Sequence, residues 1–275
     1  MSAETETLQF RNYYKNDPIT VAVRGHYRKM RERQTVDYVQ RMKKKYLTFD
    51  KPMHVWEAME KLNALIDVSD PDLTLPNVQH LIQAAEGARE AGEPDWMQMV
   101  ALIHDMGKIM YLWGADEDGT SQNEQWGLVG DIFVVGCKLP DTCVYPEFNE
   151  LNADMNDPRY NTELGVYEAG CGLDNLNLAW GHDEYLYQVL KNHPDNKIPE
   201  QGMVCVRYHS FYPWHTGNSY AQLECEKDKT YKEWVRSFNR FDLYTKRHET
   251  FELADMKAYY QPIIEKYLGT APVKW

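Results

Sequence analysis

Hydrophobic residues recur every three or four positions along most of this chain, which is the spacing of α-helices that bury one face. One helix is predicted in residues 54–68, where four apolar residues share a face: Val55, Met59, Leu62 and Ile66. Residues 24–46 predict a basic helix with a narrow apolar stripe, and residues 78–91 predict another helix before Gly92. The hydrophobic pattern therefore predicts a mostly α fold.

The most apolar predicted helix covers residues 95–113, with Asp95 as candidate N-cap and Gly114 as candidate C-cap. A polar surface loop follows at 114–126, then a strand or extended segment at 128–137 and an irregular stretch at 146–175. Four more helices are predicted within 178–193, 202–215, 231–246 and 255–269. Because no repeat and no low-complexity linker divides the chain, we predict one compact helical domain over residues 1–275, with 1–25 as a candidate flexible lid.

Charge and composition narrow the class of ligand. The chain has 275 residues, 43% of them hydrophobic, and a formal net charge of -12, which repels nucleic acids and anionic membranes. A small neutral or cationic ligand fits this charge better. The first 25 residues have no signal-peptide core, and no apolar run reaches the ~18 residues of a membrane span, so we expect a cytoplasmic protein. Five cysteines without a CxxC pair are expected to be reduced and mostly buried.

Asp105 is the first candidate for chemistry, because it falls in the middle of the most apolar predicted helix. Burying an unpaired carboxylate there would cost several kcal/mol, so a cationic partner is expected. His104 precedes it, and consecutive helical side chains point about 100° apart. The pair is therefore able to converge on one metal ion.

Further histidines and an aspartate extend this candidate site. His80 in the preceding helix and Asp242 far downstream complete an order of His, His-Asp and Asp that resembles the metal-dependent HD-domain superfamily, in which four such residues bind one divalent ion. His182 and His209 lie in similar aromatic, apolar segments. Four imidazoles and two carboxylates exceed the needs of one ion, so we predict two metals about 3.5–4 Å apart with Asp105 as the bridge. One ion is assigned His80, His104 and Asp242, and the other His182 and His209.

Nitrogen-rich coordination favours iron, zinc, manganese or nickel over magnesium or calcium. The remaining histidines lie in polar or loop contexts and are predicted at the surface: His26, His54, His193, His215 and His248. Asp183 follows His182 but is left out of the ligand set, since another ligand would leave no open position for substrate. We place it beside the site or on the helix surface.

Two lysines follow predicted ligands by one helical turn, Lys108 after His104 and Lys246 after Asp242. Each would ordinarily extend to water or pair with an acid. Together they suggest recognition of hydroxyl or alkoxide oxygens on a metal-bound ligand. Asp67, Ser69 and Asp131 occur at helix ends and turns, where capping is their usual role.

Seven longer motifs resemble the myo-inositol oxygenase family: PNVQHLIQAAEG, LIHDMGKIMYLWG, VGDIFVVGC, DPRYNTELGVY, WGHDEYLYQ, RYHSFYPWHTG and FNRFDLYTK. The resemblance runs from Phe10 to the C-terminal Lys-Trp. It implies a compact helical domain of HD-domain type that holds a mixed-valent Fe(II)/Fe(III) pair. It also implies that O2 is used to cleave the ring of the small polyol myo-inositol, giving D-glucuronate, in a protein expected to be a monomer.

The resemblance assigns roles to individual residues. It places the iron ligands at His80, His104, Asp105, His182, His209 and Asp242. It places the substrate contacts at Arg11, Asp67, Ser69, Lys108, Gly130, Asp131, Ser210 and Lys246, and we count His209 with them. Lys108 is expected to stabilise an alkoxide beside the bridging Asp105. Two departures, Val68 between the turn contacts and a longer 114–126 loop, touch no ligand.

Two other functions stay open at the level of sequence. An HD-type phosphohydrolase would use two metals to activate water against a phosphate ester, but no arginine-rich clamp or glycine-rich cradle adjoins the ligands. A metal-binding sensor of polyols would bind without turnover. The six ligands and two flanking lysines favour an enzyme over a sensor.

Overall fold

The computed structural model describes residues 12–15, 17–71, 75–244 and 250–275. These residues include ten α-helices and four short strands. The α-helices are α1 (Pro18–Arg33), α2 (Val36–Tyr46), α3 (Val55–Leu62), α4 (Asn77–Glu90), α5 (Asp95–Ile103), α6 (His182–Asn192), α7 (Glu200–Tyr208), α8 (Tyr212–His215), α9 (Glu226–Tyr244) and α10 (Leu253–Leu268). Shorter 3-10 helices span Met106–Trp113, Asp116–Asp118, Pro146–Leu151, Ala153–Asn156 and Leu173–Asn175. The prediction of a mostly α fold is confirmed.

Each strand is two residues long and pairs with one other strand. The antiparallel pairs are β1 (Pro52–Met53) with β4 (Val273–Lys274) and β2 (Val134–Val135) with β3 (Asn177–Leu178). The segment predicted as strand or extended chain at 128–137 thus contains two paired residues. The β1–β4 pair joins the end of the chain to the segment before α3.

The predicted basic helix over 24–46 is wrong as one continuous helix. The chain forms α1 and α2, and the break falls at Gln34 and Thr35. The Thr35 side chain accepts a hydrogen bond from the Tyr38 backbone N–H and so caps α2. The buried Gln34 amide donates to the Trp180 carbonyl at 2.7 Å and accepts from the Trp180 N–H at 2.8 Å. The predicted lid boundary at residue 25 lies inside α1.

The predicted helix over 95–113 also breaks, and the break falls at the His-Asp pair. Helix α5 ends at Ile103, His104 is its C-cap, and Asp105 adopts φ -94° and ψ 0°, outside the α region. The chain continues as a 3-10 helix that ends at Gly114, the predicted C-cap. Pro94 rather than Asp95 precedes α5 as N-cap. His104 and Asp105 therefore sit at a junction between helices and not within one.

Two other predicted helices are shorter or divided. Helix α3 ends at Leu62, and Ile66 is 46% exposed because the chain has already turned. The segment 202–215 forms α7 and α8 with a break at His209. The helix predicted at 78–91 matches α4 within one residue.

The core lies between helices that pack as successive neighbours. Helix α4 packs on α5, α5 packs on α7, α9 and α10, and α6 packs on α7 and on the 3-10 helix at Met106–Trp113. The buried residues of α4 and α5 are mostly apolar, and Leu81, Ile82, Val100 and Leu102 among them are fully buried. This packing brings the ends of α5, α6 and α7 together with the N-terminal part of α4 and the last turn of α9.

The burial of individual side chains contradicts part of the prediction for the histidines and agrees with the prediction for most of the cysteines. His26, His193 and His215 are buried and not at the surface, because each imidazole bonds a backbone carbonyl inside the core. His54 is exposed as predicted, and His248 lies outside the described residues. All five cysteines are free thiols, three of them buried. Among the described residues, no helix combines the length and the apolar character needed to cross a membrane.

Candidate metal and substrate site

The predicted metal ligands come together at helix ends. They are His80 in α4, His104 and Asp105 at the junction after α5, His182 as first residue of α6, His209 as C-cap of α7 and Asp242 in the last turn of α9. All six have buried or nearly buried side chains and all but His104 line one pocket. Helix ends suit this task because the backbone turns there and aims consecutive side chains inward.

His80 and His104, called the first histidine pair below, converge on Asp242. Their Nε2 atoms are 3.3 Å apart, and the Asp242 Oδ1 atom lies 2.9 Å from the His80 Nε2 and 3.4 Å from the His104 Nε2. The His104 Nδ1 atom faces the Ala101 carbonyl at 2.9 Å. The His104 ring is thereby oriented with its Nε2 atom toward the site.

His182 and His209, called the second histidine pair, converge on Asp105. Their Nε2 atoms are 3.2 Å apart, and the Asp105 Oδ1 atom is 3.0 Å from His182 and 3.4 Å from His209. Asp105 also reaches the first pair, with contacts of 3.8 Å to His104 through Oδ1 and to His80 through Oδ2. Asp105 thus lies between the two pairs, as the bridging prediction requires.

This donor set fits metal cations better than it fits protons. At each pair, two imidazole nitrogens and a carboxylate oxygen approach within 3.4 Å of one another. An imidazole proton between them satisfies one contact at a time, whereas a divalent ion accepts all three ligands together. The buried His80 Nδ1 atom has no hydrogen-bond partner among the described residues. Mixed nitrogen and oxygen donors suit a transition metal such as iron.

The electrostatics of the site favour bound positive charge. Burial alone would raise the pKa of the Asp105 carboxyl, but Lys108 and His104 outweigh it and hold that pKa well below its usual range. The pKa of Asp242 is also lowered, because the effect of His104 and His80 is larger than the effect of burial. Burial lowers the pKa of His209, but Asp183 and Asp105 outweigh it and raise the pKa to about 9. A cation at this place is therefore stabilised by ionised carboxylates.

Lys108 is buried beside the bridging carboxylate. Its ammonium group donates to Asp105 Oδ2 at 2.6 Å, Asp67 Oδ2 at 2.7 Å and Asn77 Oδ1 at 2.9 Å. Burial lowers the pKa of Lys108, but the two carboxylates outweigh it and raise the pKa, while the pKa of Asp67 falls to about 2 because Lys108 outweighs its burial. All three ammonium protons are therefore engaged, and a ligand oxygen must replace one of these partners to reach Lys108.

Three of the predicted substrate contacts form a continuous wall of the pocket. The Asp131 carboxylate accepts from the Tyr27 hydroxyl at 3.2 Å, and the Ile132 N–H donates to the Ser210 carbonyl at 3.1 Å. Gly130 has φ +111°, a conformation that other residues rarely adopt, and it precedes Asp131 at this wall. The structure thus brings Ser210 next to Gly130 and Asp131, although it lies far from them in the sequence.

The other predicted contacts divide into two groups. Asp67 lines the pocket and also accepts hydrogen bonds from the Ser69 backbone and hydroxyl, so it has the capping role and the contact with Lys108 at once. Ser69 lines the pocket beside it. Arg11 and Lys246 lie outside the described residues.

Sequence reasoning missed Asn77 and Tyr27, and it left two positions open for Asp183. Asn77 lines the pocket and holds Lys108, and its position three residues before His80 on the same helix was a usable signal. Tyr27 lines the pocket from α1, a helix judged to be surface, so nothing in the local pattern indicated it. Asp183 is only 1% exposed, which excludes the helix surface and leaves the position beside the site.

The fold and the site define a class of protein: a mostly helical protein whose helix ends enclose buried histidine and aspartate clusters able to hold metal ions. Residues 20–275 match the family model described as Myo-inositol oxygenase. The chain belongs to the myo-inositol oxygenase family.

Similar proteins span several kingdoms. An inositol oxygenase of Rattus norvegicus is 44% identical over 261 residues, which cover 94% of this chain and 88% of the relative. An inositol oxygenase of Homo sapiens is 43% identical over 95% of this chain and 90% of its own length. A probable inositol oxygenase of Oryza sativa subsp. japonica is 40% identical over 97% and 85%, respectively. The likeness therefore extends over nearly the whole chain.

Proposed function

We propose that this protein is an inositol oxygenase that holds two iron ions and uses O2 to cleave the ring of myo-inositol, with D-glucuronate as product. The names of the rat and human relatives, inositol oxygenase, support the substrate and the reaction class. The product and the mixed-valent Fe(II)/Fe(III) state follow from the resemblance of the motifs.

The position of Asp105 is the observation that supports two ions most directly. One carboxylate contacts the second histidine pair at 3.0 and 3.4 Å and the first pair at 3.8 Å. Carboxylates that touch two clusters of ligands in this way bridge metal pairs about 3.5–4 Å apart. In this proposal, His80, His104 and Asp242 hold one ion, His182 and His209 hold the other, and Asp105 joins them.

Inositol has no leaving group, so its ring requires an oxidant and cannot be opened by hydrolysis. When bound, the iron pair supplies the Lewis acidity toward hydroxyl groups and the redox chemistry with O2 that the reaction needs. Lys108 keeps its proton and brings positive charge beside Asp105, where a substrate alkoxide would be stabilised after exchange with Asp67 or Asn77.

The remaining pocket residues orient the polyol. Asp131 and Asp67 offer carboxylate acceptors to ring hydroxyls, and Ser210 offers a hydroxyl on the adjoining wall. A pocket that pairs many hydroxyls rejects deoxy analogues, because each missing hydroxyl strands a buried partner at a cost of about 1–3 kcal/mol. Arg11 and Lys246 are proposed to contribute as well, on the strength of the motifs that contain them.

The described lining of the pocket suits a neutral polyol better than a phosphate ester. It contains five aspartates, Asp67, Asp70, Asp105, Asp131 and Asp242, but a single lysine and no arginine. Negative charge in this number repels phosphate unless the metals offset it. A phosphohydrolase therefore has less support than an oxygenase.

Anaerobic protein loaded with Fe(II), then mixed with myo-inositol and O2, tests the proposal. We expect glucuronate to form in an amount equal to the O2 consumed, and we expect about two irons per chain. The His182→Ala variant should lose turnover, because it removes a ligand of one ion. The His54→Ala variant is the matched control, since this exposed histidine touches no predicted ligand.

The alternatives give different results in the same assay. Binding of inositol without O2 uptake would indicate a sensor, and hydrolysis of phosphate esters by the loaded protein would indicate a phosphohydrolase. An iron content near one per chain would contradict the two-metal site while leaving the family membership intact. Gel filtration and fractionation of cells would test the predicted monomer and its cytoplasmic location.

A further inference from the structure

Asp183 is a buried acid that no step of the proposed reaction uses. It lies in the first turn of α6, directly after His182, and is 1% exposed. Its Oδ1 atom accepts from the Ser210 backbone N–H at 3.3 Å and lies 3.2 Å from the His209 Nδ1 atom. Its Oδ2 atom is buried, has no hydrogen-bond partner among the described residues and lies 3.5 Å from the His182 Nε2 atom.

Asp183 is the one acid of the described residues that contacts the Nδ1 atom of a predicted metal ligand. The Nδ1 atoms of His104 and His182 face the backbone carbonyls of Ala101 and Leu128, whereas the His209 Nδ1 atom faces both the Val206 carbonyl and Asp183. When a cation occupies the Nε2 atom of His209, the imidazole proton remains on Nδ1 and points at these acceptors. A carboxylate in that position strengthens the electron donation of the imidazole to the metal.

The same carboxylate oxygen also fixes the start of the substrate wall. Ser210 follows His209 where the chain leaves α7, and its N–H is held by Asp183. The Ser210 carbonyl in turn accepts from Ile132, which continues the segment of Gly130 and Asp131. Asp183 therefore connects a ligand of the second histidine pair to the predicted polyol contacts.

Fold stability alone does not explain an acid in this place. A buried carboxylate with an unsatisfied oxygen is costly, and apolar or neutral replacements at such positions are often neutral or stabilising. We therefore propose that Asp183 is a positioning residue, which tightens metal binding at the second histidine pair through His209 and orients Ser210 for the polyol. This inference rests on the proposed two-metal function.

Metal titration separates this role from a structural one. Metal-free protein is titrated anaerobically with Co(II), whose visible spectrum reports each ion bound. Wild-type protein should bind two equivalents. In Asp183→Asn, which keeps the shape and the acceptor for Ser210, one equivalent should bind about 10–100-fold more weakly, while the other is unchanged.

The two contacts of Asp183 are separated by a second substitution. Asp183→Ala also loses the hydrogen bond to the Ser210 N–H. Its KM for myo-inositol should therefore be about 2- to 10-fold higher than the KM of Asp183→Asn, which corresponds to the loss of one hydrogen bond. Asp228→Asn is the matched control, because Asp228 is a fully buried acid in the first turn of α9 that, like Asp183, accepts from a backbone N–H and contacts no predicted ligand. Thermal unfolding of each metal-free variant confirms that it is folded.

The outcomes distinguish this inference from the proposed function. If the wild-type protein and Asp183→Asn bind both equivalents equally well, Asp183 has no positioning role although two metals bind. Equal loss in Asp183→Asn and Asp228→Asn would also overturn the inference, because the loss would then follow from changing any buried acid of the fold. If wild-type protein binds a single ion, both the inference and the two-metal function are wrong.

Discussion

The two histidine pairs have nearly the same internal geometry but are supported by different interactions. Their Nε2 atoms are 3.3 and 3.2 Å apart, and a carboxylate oxygen lies 2.9 Å from the first pair and 3.0 Å from the second. The first pair lies on α4 and α5, which pack through aliphatic side chains. Behind the second pair, α6 and α7 are joined by buried charges, where Arg207 donates to Glu184 at 2.8 Å.

The difference shows two ways to fix a ligand. Aliphatic packing is non-directional, so the first pair depends on the shape of the α4–α5 interface. A buried ion pair is directional and costly to leave incomplete, so the second pair depends on keeping each charge matched. Substitutions that remove a charge should therefore act on the second pair much more than on the first.

The largest effect is expected at Asp105, the residue that the two pairs share. Asp105→Asn keeps the shape of the side chain but removes the charge that contacts both pairs and Lys108. Loss of a partner behind a ligand costs about 10–100-fold in metal affinity, so loss of the bridge itself should cost more, at both ions. Iron content should fall below one per chain, with no measurable glucuronate formation, as checked by metal analysis and the assay above.

Asp37→Asn provides the control, because Asp37 is an exposed acid whose side chain is 81% accessible. It should keep full iron content and full activity. Retention of one tightly bound iron in Asp105→Asn would contradict the bridging role and would separate the two pairs into independent sites.

The sequence was sufficient to point to Asp105 and the other predicted ligands, which the structure brings together, and the reason is chemical. A charged residue in an apolar helical pattern needs a partner whatever the details of the fold, and the search for that partner led to all four histidines. The helix around Asp105 was nevertheless predicted as continuous. The turn at His104 and Asp105 depends on contacts with α6, which a local pattern does not contain.

The second-largest effect is expected on stability when the Glu184–Arg207 pair is broken. Arg207→Met leaves Glu184, which is 2% exposed, without its cationic partner. Breaking a buried pair at one member costs about 3–5 kcal/mol in the free energy of unfolding. Denaturant unfolding of the metal-free protein measures this loss.

A double variant checks the origin of the loss. Glu184→Leu combined with Arg207→Met removes both charges and should recover most of the stability, because the penalty comes from the unmatched charge. Arg41→Met is the surface control, since Arg41 forms an exposed pair with Asp37 and should change stability by less than about 0.5 kcal/mol. A double variant as unstable as Arg207→Met would show that Arg207 acts by packing and not by charge.

The supporting residues mark the limit of prediction from sequence. Asp183, Glu184 and Arg207 resemble ordinary charged residues of amphipathic helices, and only the docking of α6 on α7 makes them partners. The predicted surface positions of His26 and His193 were wrong for the same reason, because their carbonyl partners come from distant segments. His215 is buried although its partner, the His209 carbonyl, is only six residues away. Local patterns locate groups that need a partner, but the fold decides which partner they meet.

The smallest of these effects is expected at Gly107, two residues after Asp105, which packs against the backbone of His182 in the second pair. A Cβ atom built at Gly107 would lie 2.0 Å from the His182 carbonyl oxygen, a backbone atom that has little room to move. Gly107→Ala should therefore lower the free energy of unfolding by about 1–3 kcal/mol, as overpacking does. It should also weaken metal binding at His182 and His209 without affecting metal binding at the first pair. Gly25→Ala in α1 is the matched control with the opposite sign, because nothing lies within 4 Å of its Cβ position and alanine favours helix by about 1 kcal/mol. If Gly107→Ala weakened the binding of both ions equally in a Co(II) titration, a distortion at one pair would be transmitted to the other. The different interactions behind the two pairs would then have no effect on metal binding.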